Sequence, residues 1–221
     1  MRERVVGKSG LLAASAAMAF VTSGATEAAR PLPKASIVLW NQNSNFGGGV
    51  NSQIYESSMS AYNDFAADDF VVPAGQTWTV TEVDVTGAYV GGTGPAPSVE
   101  IWIYWNKAGR PDAGRKGLGK YNATVSCTDN GGSFQCQLPG KHHKPGAKLP
   151  AGTYWISVAA VCVSSVCGEW KWTENTTVTG YQAGWFNPGN GWGTNCTGFE
   201  DLTTCFGGSP ADLAFELIGS R

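Results

Sequence analysis

Apolar and polar residues alternate with a period of two along most of the chain after residue 35. The segment Val99–Trp105 shows the pattern clearly, because one face carries aliphatic side chains and Trp105, whereas the other carries Glu100, Trp102 and Tyr104. Such alternation is typical of β-strands. No long stretch has the spacing of an amphipathic helix, and the pattern therefore predicts an all-β fold.

Turn-forming residues separate the predicted strands. The chain contains 30 glycines and 11 prolines, and about ten short strands between such turns favour an antiparallel β-sandwich of the jelly-roll kind. We expect this single domain to span residues 36–221. Two Pro-Ala-Gly turns each precede the aromatic start of a strand by one or two residues, which suggests two equivalent corners of the sandwich. These turns are Pro73–Gly75 and Pro150–Gly152.

The first 25 residues have the pattern of a secretory signal peptide. Three basic residues precede the apolar run Leu11–Val21, which is too short to cross a bilayer core of about 30 Å. Cleavage is expected after Ala25, with Ala28 or Ala29 as a rival site, and residues 26–35 would form a linker. An uncleaved anchor is the alternative. With cleavage, the mature chain has no membrane span and is secreted or extracytoplasmic.

Six cysteines support export. They fall into three closely spaced pairs without a CxxC motif, a pattern typical of disulfides in an oxidising compartment. The spacing favours three local disulfides, although about fifteen pairings of six cysteines are possible. Asn130-Gly131, a strong hairpin signal, lies between the first two cysteines. The pairs are Cys127 and Cys136, Cys162 and Cys167, and Cys196 and Cys205.

Charge argues against some classes of partner. The formal net charge is −2 with only 14% charged residues, and removal of the basic N-terminus would make the mature chain more acidic. Nucleic acids and anionic membranes require a basic face. The sequence therefore predicts neither as a partner.

Three short segments resemble a known type of domain. The chain contains Asp68–Val80 with the pattern DDFxVPAGxxWxV, Leu149–Ser157 with LPAGTYWIS, and Asp212–Gly219 with DLAFELxG. In these motifs, it is similar to β-sandwich domains of exported bacterial proteins, often of unassigned function. The resemblance implies the fold and export. It implies no catalytic residues.

Tryptophan enrichment is the main candidate for function. Nine tryptophans exceed ordinary usage, and an indole serves either in a core or as a binding platform. A glycan site could combine aromatic rings, which stack on sugar CH groups, with a carboxylate that binds hydroxyls. Burial of the same aromatics in the core is the alternative for every position. The candidate ligand-binding residues are Glu100, Trp102, Tyr104, Trp170, Trp172, Trp185 and Trp192.

Metal and catalytic signals are weak. Asp68 and Asp69 are candidate calcium ligands, with Glu82, Asp84 and Asp212 as partners, but no loop has alternating Asp and Asn ligands. The basic loop containing His142 and His143 is more typical of a solvated loop than of a metal site. No cofactor is expected apart from this calcium, and no nucleophile motif is present.

The leading functional hypothesis is a secreted, non-enzymatic β-sandwich that binds an extracellular ligand, such as a polysaccharide or a cell-surface component, through exposed aromatics. A structural or adhesion module without a small ligand is the second hypothesis. A secreted hydrolase with carboxylates on distant strands is the third, since a glycosidase pair leaves no local motif. Solvent exposure of the tryptophans would discriminate between the first two hypotheses.

Overall fold

The computed structural model describes residues 35–113, 119–140 and 146–221, which lie within the compact unit Lys34–Arg221. The predicted signal peptide, nearly all of the predicted linker, and His142 and His143 lie outside the described residues. None of the helices in the described ranges is both long and apolar enough to cross a membrane.

Strands dominate the described residues, which confirms the predicted all-β class. Sixteen strands are present, more than the predicted ten, together with a 3₁₀ helix (Ser57–Tyr62) and the short helices α1 (Ser164–Cys167) and α2 (Leu202–Phe206). The strands are β1 (Ile37–Asn41), β2 (Phe46–Asn51), β3 (Gln53–Ile54), β4 (Phe65–Val85), β5 (Gly87–Gly91), β6 (Ser98–Lys107), β7 (Arg110–Pro111), β8 (Gly119–Val125), β9 (Thr128–Asn130), β10 (Ser133–Gln137), β11 (Ala147–Val161), β12 (Gly168–Asn175), β13 (Gly184–Phe186), β14 (Glu200–Asp201), β15 (Asp212–Leu213) and β16 (Phe215–Ser220).

The strands form two sheets. The larger sheet has the order β1-β16-β4-β11-β6-β7, with β8 beside β6 and with β10 and β13 beside β4. The smaller sheet has β12 at its centre, with β2 on one side and β5 and β15 on the other. Most pairs are antiparallel, and β3 with β11 is a parallel exception.

The two Pro-Ala-Gly turns lie opposite each other on paired strands. In the ladder between β4 and β11, Pro150 is opposite Thr77, whereas Gly152 is opposite Val72. The four residues from Pro73 to Gln76 therefore bulge opposite a single residue. The sequence predicted two corners, but the turns together form one bend in a shared strand pair.

The main core includes apolar side chains from both sheets. On β12, alternation places Trp170 and Trp172 inside, where both are fully buried. The Trp170 Nε1–H donates to the Gly132 carbonyl at 2.7 Å, and the Trp172 Nε1–H donates to the Ala214 carbonyl at 2.9 Å. Both indoles thus satisfy their polar group without water, as buried tryptophans generally do.

A second, smaller core covers part of the larger sheet. It consists of Ala67, Trp155 and Phe199, with Phe65, Tyr104 and Phe186 packed against it. As a result, aromatic residues on both faces of the larger sheet are partly or fully buried.

The three predicted local disulfides are present, joining Cys127 to Cys136, Cys162 to Cys167, and Cys196 to Cys205. The first spans the hairpin of β9 and β10, as the Asn130-Gly131 signal predicted. Gly131 and Gly132 both have positive φ angles, of 68° and 102°, which glycine adopts without steric cost. Disulfides of this kind are typical of proteins that fold outside the cytoplasm.

Candidate functional site

A cleft of about 500 Å³ lies against the smaller sheet. Its floor consists of side chains from β2 and β12, and its wall consists of residues between Trp185 and Ser209, including α2. We refer to this cavity as the β12 cleft. Its volume is in the range of small-molecule binding sites, and its lining mixes aromatic, charged and neutral polar groups.

Strand β12 supplies the charged part of the floor. Because Trp170 and Trp172 face the core, Glu169 and Lys171 face outward into the cleft. The pairing of β12 with β2 shifts register between Thr173 and Asn175, so the strict alternation ends there. This irregularity brings Glu174 to the cleft as well.

Glycines in β2 leave room beside Glu174. A Cβ atom added at Gly48 would lie 2.9 Å from the Glu174 Oε2 atom, and one at Gly47 would lie 3.5 Å from the Glu174 Cβ atom. A side chain at Gly48 would therefore displace the Glu174 carboxylate, whereas the distance at Gly47 is an ordinary contact. The carboxylate lies against the backbone of Gly48.

Asn187 fastens the wall of the cleft to the 3₁₀ helix. Its side chain is fully buried, and its Nδ2 group donates to the carbonyls of Ala61 and Asn63, both at 2.7 Å. Its Oδ1 atom accepts from the Trp192 backbone N–H at 3.1 Å. All three bonds orient the Gly-rich loop 187–193, from which Trp192 projects.

Trp192 provides part of the apolar surface of the cleft. Its Nε1–H donates to the Tyr62 carbonyl at 2.9 Å, and the two rings meet edge to face with centroids 5.2 Å apart. The side chain is half-buried. Since the indole N–H is already bonded, the ring contributes to the cleft mainly as an apolar surface.

Trp185 and Phe206 extend the aromatic lining. Trp185 is buried, and its Nε1–H donates to the Asn51 carbonyl at 2.8 Å. Phe206 is 53% exposed and packs edge to face on Trp185, with centroids 4.7 Å apart. The disulfide between Cys196 and Cys205 joins the wall segment after Trp192 to α2, which carries Phe206.

Ionisable groups of the cleft are partly paired. The Lys171 Nζ atom lies 3.5 Å from the Glu169 Oε2 atom, and both side chains are about one-third exposed. Nearby, the buried Asp64 Oδ1 atom accepts from the Gln53 N–H at 2.7 Å. Burial raises the pKa of Asp64 to about 8, with a smaller rise from the charge of Glu169.

The structure brings two of the seven predicted binding residues to this cleft, namely Trp185 and Trp192. Trp170 and Trp172 belong to the core, because each has 0% exposure. Glu100, Trp102 and Tyr104 lie on β6 of the larger sheet, outside the cleft, and all three are half-buried. Trp102 packs edge to face on Phe65 with centroids 5.4 Å apart.

Sequence reasoning missed much of the cleft lining, notably Asn51, Glu169, Lys171, Glu174 and Phe206. A signal existed for two of them. Glu169 and Lys171 alternate with Trp170 and Trp172, so one pair had to face the core and the other had to face outward. The larger apolar pair is buried, and the charged pair faces the cleft.

The candidate calcium ligands have backbone and amide partners. Asp68 accepts from the Gln42 Nε2 group at 2.5 Å, from the Leu213 N–H at 2.6 Å and from the Asp69 N–H at 2.8 Å. Asp69 accepts from the Tyr181 N–H at 2.8 Å. Across the described ranges, no group of three acidic, histidine or cysteine residues is arranged to hold a metal ion.

Burial dominates the ionisation of these carboxyls. It raises the pKa of Asp68 well above its usual range, and the charge of Asp212 adds to the rise. It raises the pKa of Asp69 to about 6 and that of Asp212 to about 7. The hydrogen bonds of this acidic cluster tie β4 to the segment before β16, which is a structural role.

No protein-family model matches the chain, and no curated protein matches it. Among solved structures, the chain is similar to the cysteine protease and lectin-like domains of Cwp84, a surface layer associated protein of Clostridium difficile. The sequence identity is 15% and the TM-score is 0.43; the match covers 72% of this chain and 32% of that chain. Similarity of this extent assigns neither a family nor an activity.

Proposed function

We propose that the chain is an exported, non-enzymatic domain that binds an extracellular glycan in the β12 cleft. One observation carries the proposal: a cavity of about 500 Å³ combines the rings of Trp192 and Phe206 with hydrogen-bonding groups on the adjacent strands. Sugars have apolar CH faces and a rim of hydroxyls, so both kinds of group find a partner. Most small-ligand sites likewise combine an apolar lining with a few placed polar groups.

The two aromatic rings have different parts in this proposal. Trp192 is fixed by its bond to Tyr62 and offers a preorganised surface, which lowers the entropic cost of binding. Phe206 is more exposed and would lose water on contact with a sugar ring. Glu174 and Asn51 would supply acceptors and donors for hydroxyls.

Hydrolysis is less well supported at this site. Glu169 and Glu174 are five residues apart on an extended strand, which corresponds to roughly 16 Å between their Cα atoms. The two carboxyls of a glycosidase lie about 5–10 Å apart. Glu169 and Glu174 lie at opposite ends of the floor, and this arrangement favours ligand binding over cleavage of a glycosidic bond.

A structural or adhesion module is the second candidate. Five of the nine tryptophans are buried, namely Trp78, Trp155, Trp170, Trp172 and Trp185, and the other four are only half-buried. Burial on this scale accounts for most of the tryptophan enrichment through packing alone. This candidate predicts a stable domain in which the β12 cleft binds no saccharide.

Titration of the oxidised protein with a panel of soluble polysaccharides separates the two candidates. Binding would be followed by tryptophan fluorescence and by isothermal titration calorimetry. We expect saturable binding to at least one polymer, and we expect Trp192→Ala or Phe206→Ala to weaken it by about tenfold or more, as hot-spot aromatics do.

Trp102→Ala is the matched control, because Trp102 is also half-buried but lies outside the cleft. It should leave affinity unchanged, with any loss of melting temperature measured in parallel for each variant. Equal losses of affinity in Trp102→Ala and Trp192→Ala would contradict the assignment to this cleft. No saturable binding to any polymer would favour the structural module.

A further inference from the structure

The charges that line the β12 cleft do not cancel. Three ionisable side chains from β12 line it, two acidic and one basic. Lys171 is already engaged by Glu169, with 3.5 Å between the Nζ and Oε2 atoms. One carboxylate, that of Glu174, is therefore left without a compensating charge.

The Glu174 carboxylate has no polar partner in the described part of the chain. Its carboxylate makes no ion pair there, and the side-chain hydrogen bonds of that part do not include it. The absence of a side chain at Gly48 lets the Glu174 carboxylate lie against β2, where it lines the cleft. A half-buried, unpaired carboxylate that lines a cavity is a suitable acceptor for a cationic donor from a ligand.

The rest of the polar lining is neutral. Asn51, Thr194 and Ser209 line the cleft and can bond hydroxyl or amide groups, but they do not select for charge. An acidic sugar would meet two carboxylates and a single lysine that is already paired. Repulsion from these carboxylates lowers the affinity for an acidic sugar much more than the affinity for a neutral sugar.

Resting on the proposed glycan-binding function, we infer that the β12 cleft selects amino sugars with a free, protonated amine, and that Glu174 is the residue that determines this specificity. The amine of one sugar unit donates to the Glu174 carboxylate, while another ring of the same oligosaccharide contacts Trp192. N-acetylated sugars lack the positive charge, and uronic acids carry the opposite one. The expected order of affinity is therefore free amine, then N-acetyl, then uronate.

Calorimetric titration with three oligosaccharides of matched length tests this order. The probes are a β-1,4-glucosamine oligomer, its fully N-acetylated form and a uronic acid oligomer, all at about pH 5.5, where an amine is protonated. We expect the glucosamine oligomer to bind about tenfold more tightly than the N-acetylated one. Added salt should weaken binding of the amine form alone, because screening acts on the charged contact.

Glu174→Gln should abolish the tenfold preference while affinity for the N-acetylated oligomer is retained. Glu100→Gln, which alters a half-buried carboxylate on β6 outside the cleft, should retain the preference. Equal affinity for free and acetylated forms, or an unchanged preference in Glu174→Gln, would overturn the inference and leave glycan binding in place. Failure of all three oligomers to bind would overturn the inference, and the polysaccharide panel would then test glycan binding separately.

Discussion

The indole N–H of Trp192 donates to the backbone carbonyl of Tyr62 at 2.9 Å, and their rings meet edge to face. This contact joins two segments that are 130 residues apart in the chain. It fixes the wall of the β12 cleft to the 3₁₀ helix before β4. Any function of the cleft therefore depends on how firmly the loop around Trp192 is docked.

Trp192→Phe tests the hydrogen bond separately from the ring. The phenyl ring keeps an apolar surface in the cleft, but the Tyr62 carbonyl loses its donor. A net hydrogen bond contributes about 1 kcal/mol, so we expect the melting temperature to fall by about 2–4 °C and glycan affinity to fall by about fivefold. Trp102→Phe should leave affinity unchanged. Full affinity in Trp192→Phe would contradict a positioning role for the bond.

Two disulfides of equal loop length allow a matched comparison. Cys127–Cys136 and Cys196–Cys205 each have a sequence separation of 9, so the entropic model predicts a similar loss of about 2–3 kcal/mol when either is removed. Only the second adjoins the cleft residues Thr194 and Phe206. Replacement of both cysteines by serine should therefore lower stability in each case but weaken glycan binding only for the Cys196–Cys205 pair.

Denaturant unfolding and calorimetric titration of the two double variants provide the measurement. Unchanged glycan binding after loss of the Cys196–Cys205 bridge would show that the wall is held by other contacts. If glycan binding is weakened equally in both variants, the cause would be a global loss of stability and not a local change in the cleft wall.

Sequence periodicity was sufficient for the fold class. The alternation of Val99–Trp105 predicted β6 within two residues, and cysteine spacing predicted all three disulfides. It was insufficient for β2, whose glycines lack side chains that could show alternation. The length of β4 was missed because Pro73–Gly75 resembles a turn, although the chain continues through it as a bulged strand.

The cleft was harder to predict, because its residues come from β2, β12 and the segment 185–209, which only tertiary structure brings together. The sequence identified aromatic residues but could not tell which were buried. On β12, Trp170 and Trp172 were predicted from the sequence as binding residues because tryptophan often binds sugars. Burial of two indoles, however, stabilises the fold by several kcal/mol. That energy drives these side chains inward and leaves Glu169 and Lys171 outside.

Stability should rise as pH falls through the neutral range. Burial raises the pKa of Asp69 to about 6 and that of Asp212 to about 7, whereas both titrate near 4 when unfolded. A carboxyl of raised pKa stabilises the folded state in its protonated form. This contribution is fully present below about pH 4 and is lost as pH rises through about 6 to 7. We expect unfolding to cost on the order of 4 kcal/mol more at about pH 5 than at about pH 8, at about 1.4 kcal/mol per proton and pH unit.

Asp212→Asn tests the origin of this dependence. The amide oxygen can still accept from the Thr179 N–H, which donates to Asp212 at 2.6 Å, but the side chain no longer ionises. Urea unfolding across this pH range should show a flatter profile and a higher stability near pH 8. Glu100→Gln, at a half-buried carboxyl outside this cluster, should keep the original slope. An unchanged slope in Asp212→Asn would assign the dependence to other carboxyls, such as Asp64.

Gly189→Ala tests how closely the wall of the cleft must approach the 3₁₀ helix. A Cβ atom at Gly189 would lie 2.5 Å from the Ala61 Cα atom and 2.6 Å from its carbonyl oxygen, so the loop must move away from Tyr62. Overpacking of this kind costs about 1–3 kcal/mol, and we expect glycan affinity to fall as Trp192 shifts with the loop. Gly198→Ala is the matched control, because a Cβ atom there meets nothing within 4 Å. Urea unfolding and calorimetric titration of both variants measure these effects, and equal stability of the two would contradict the close docking of the loop.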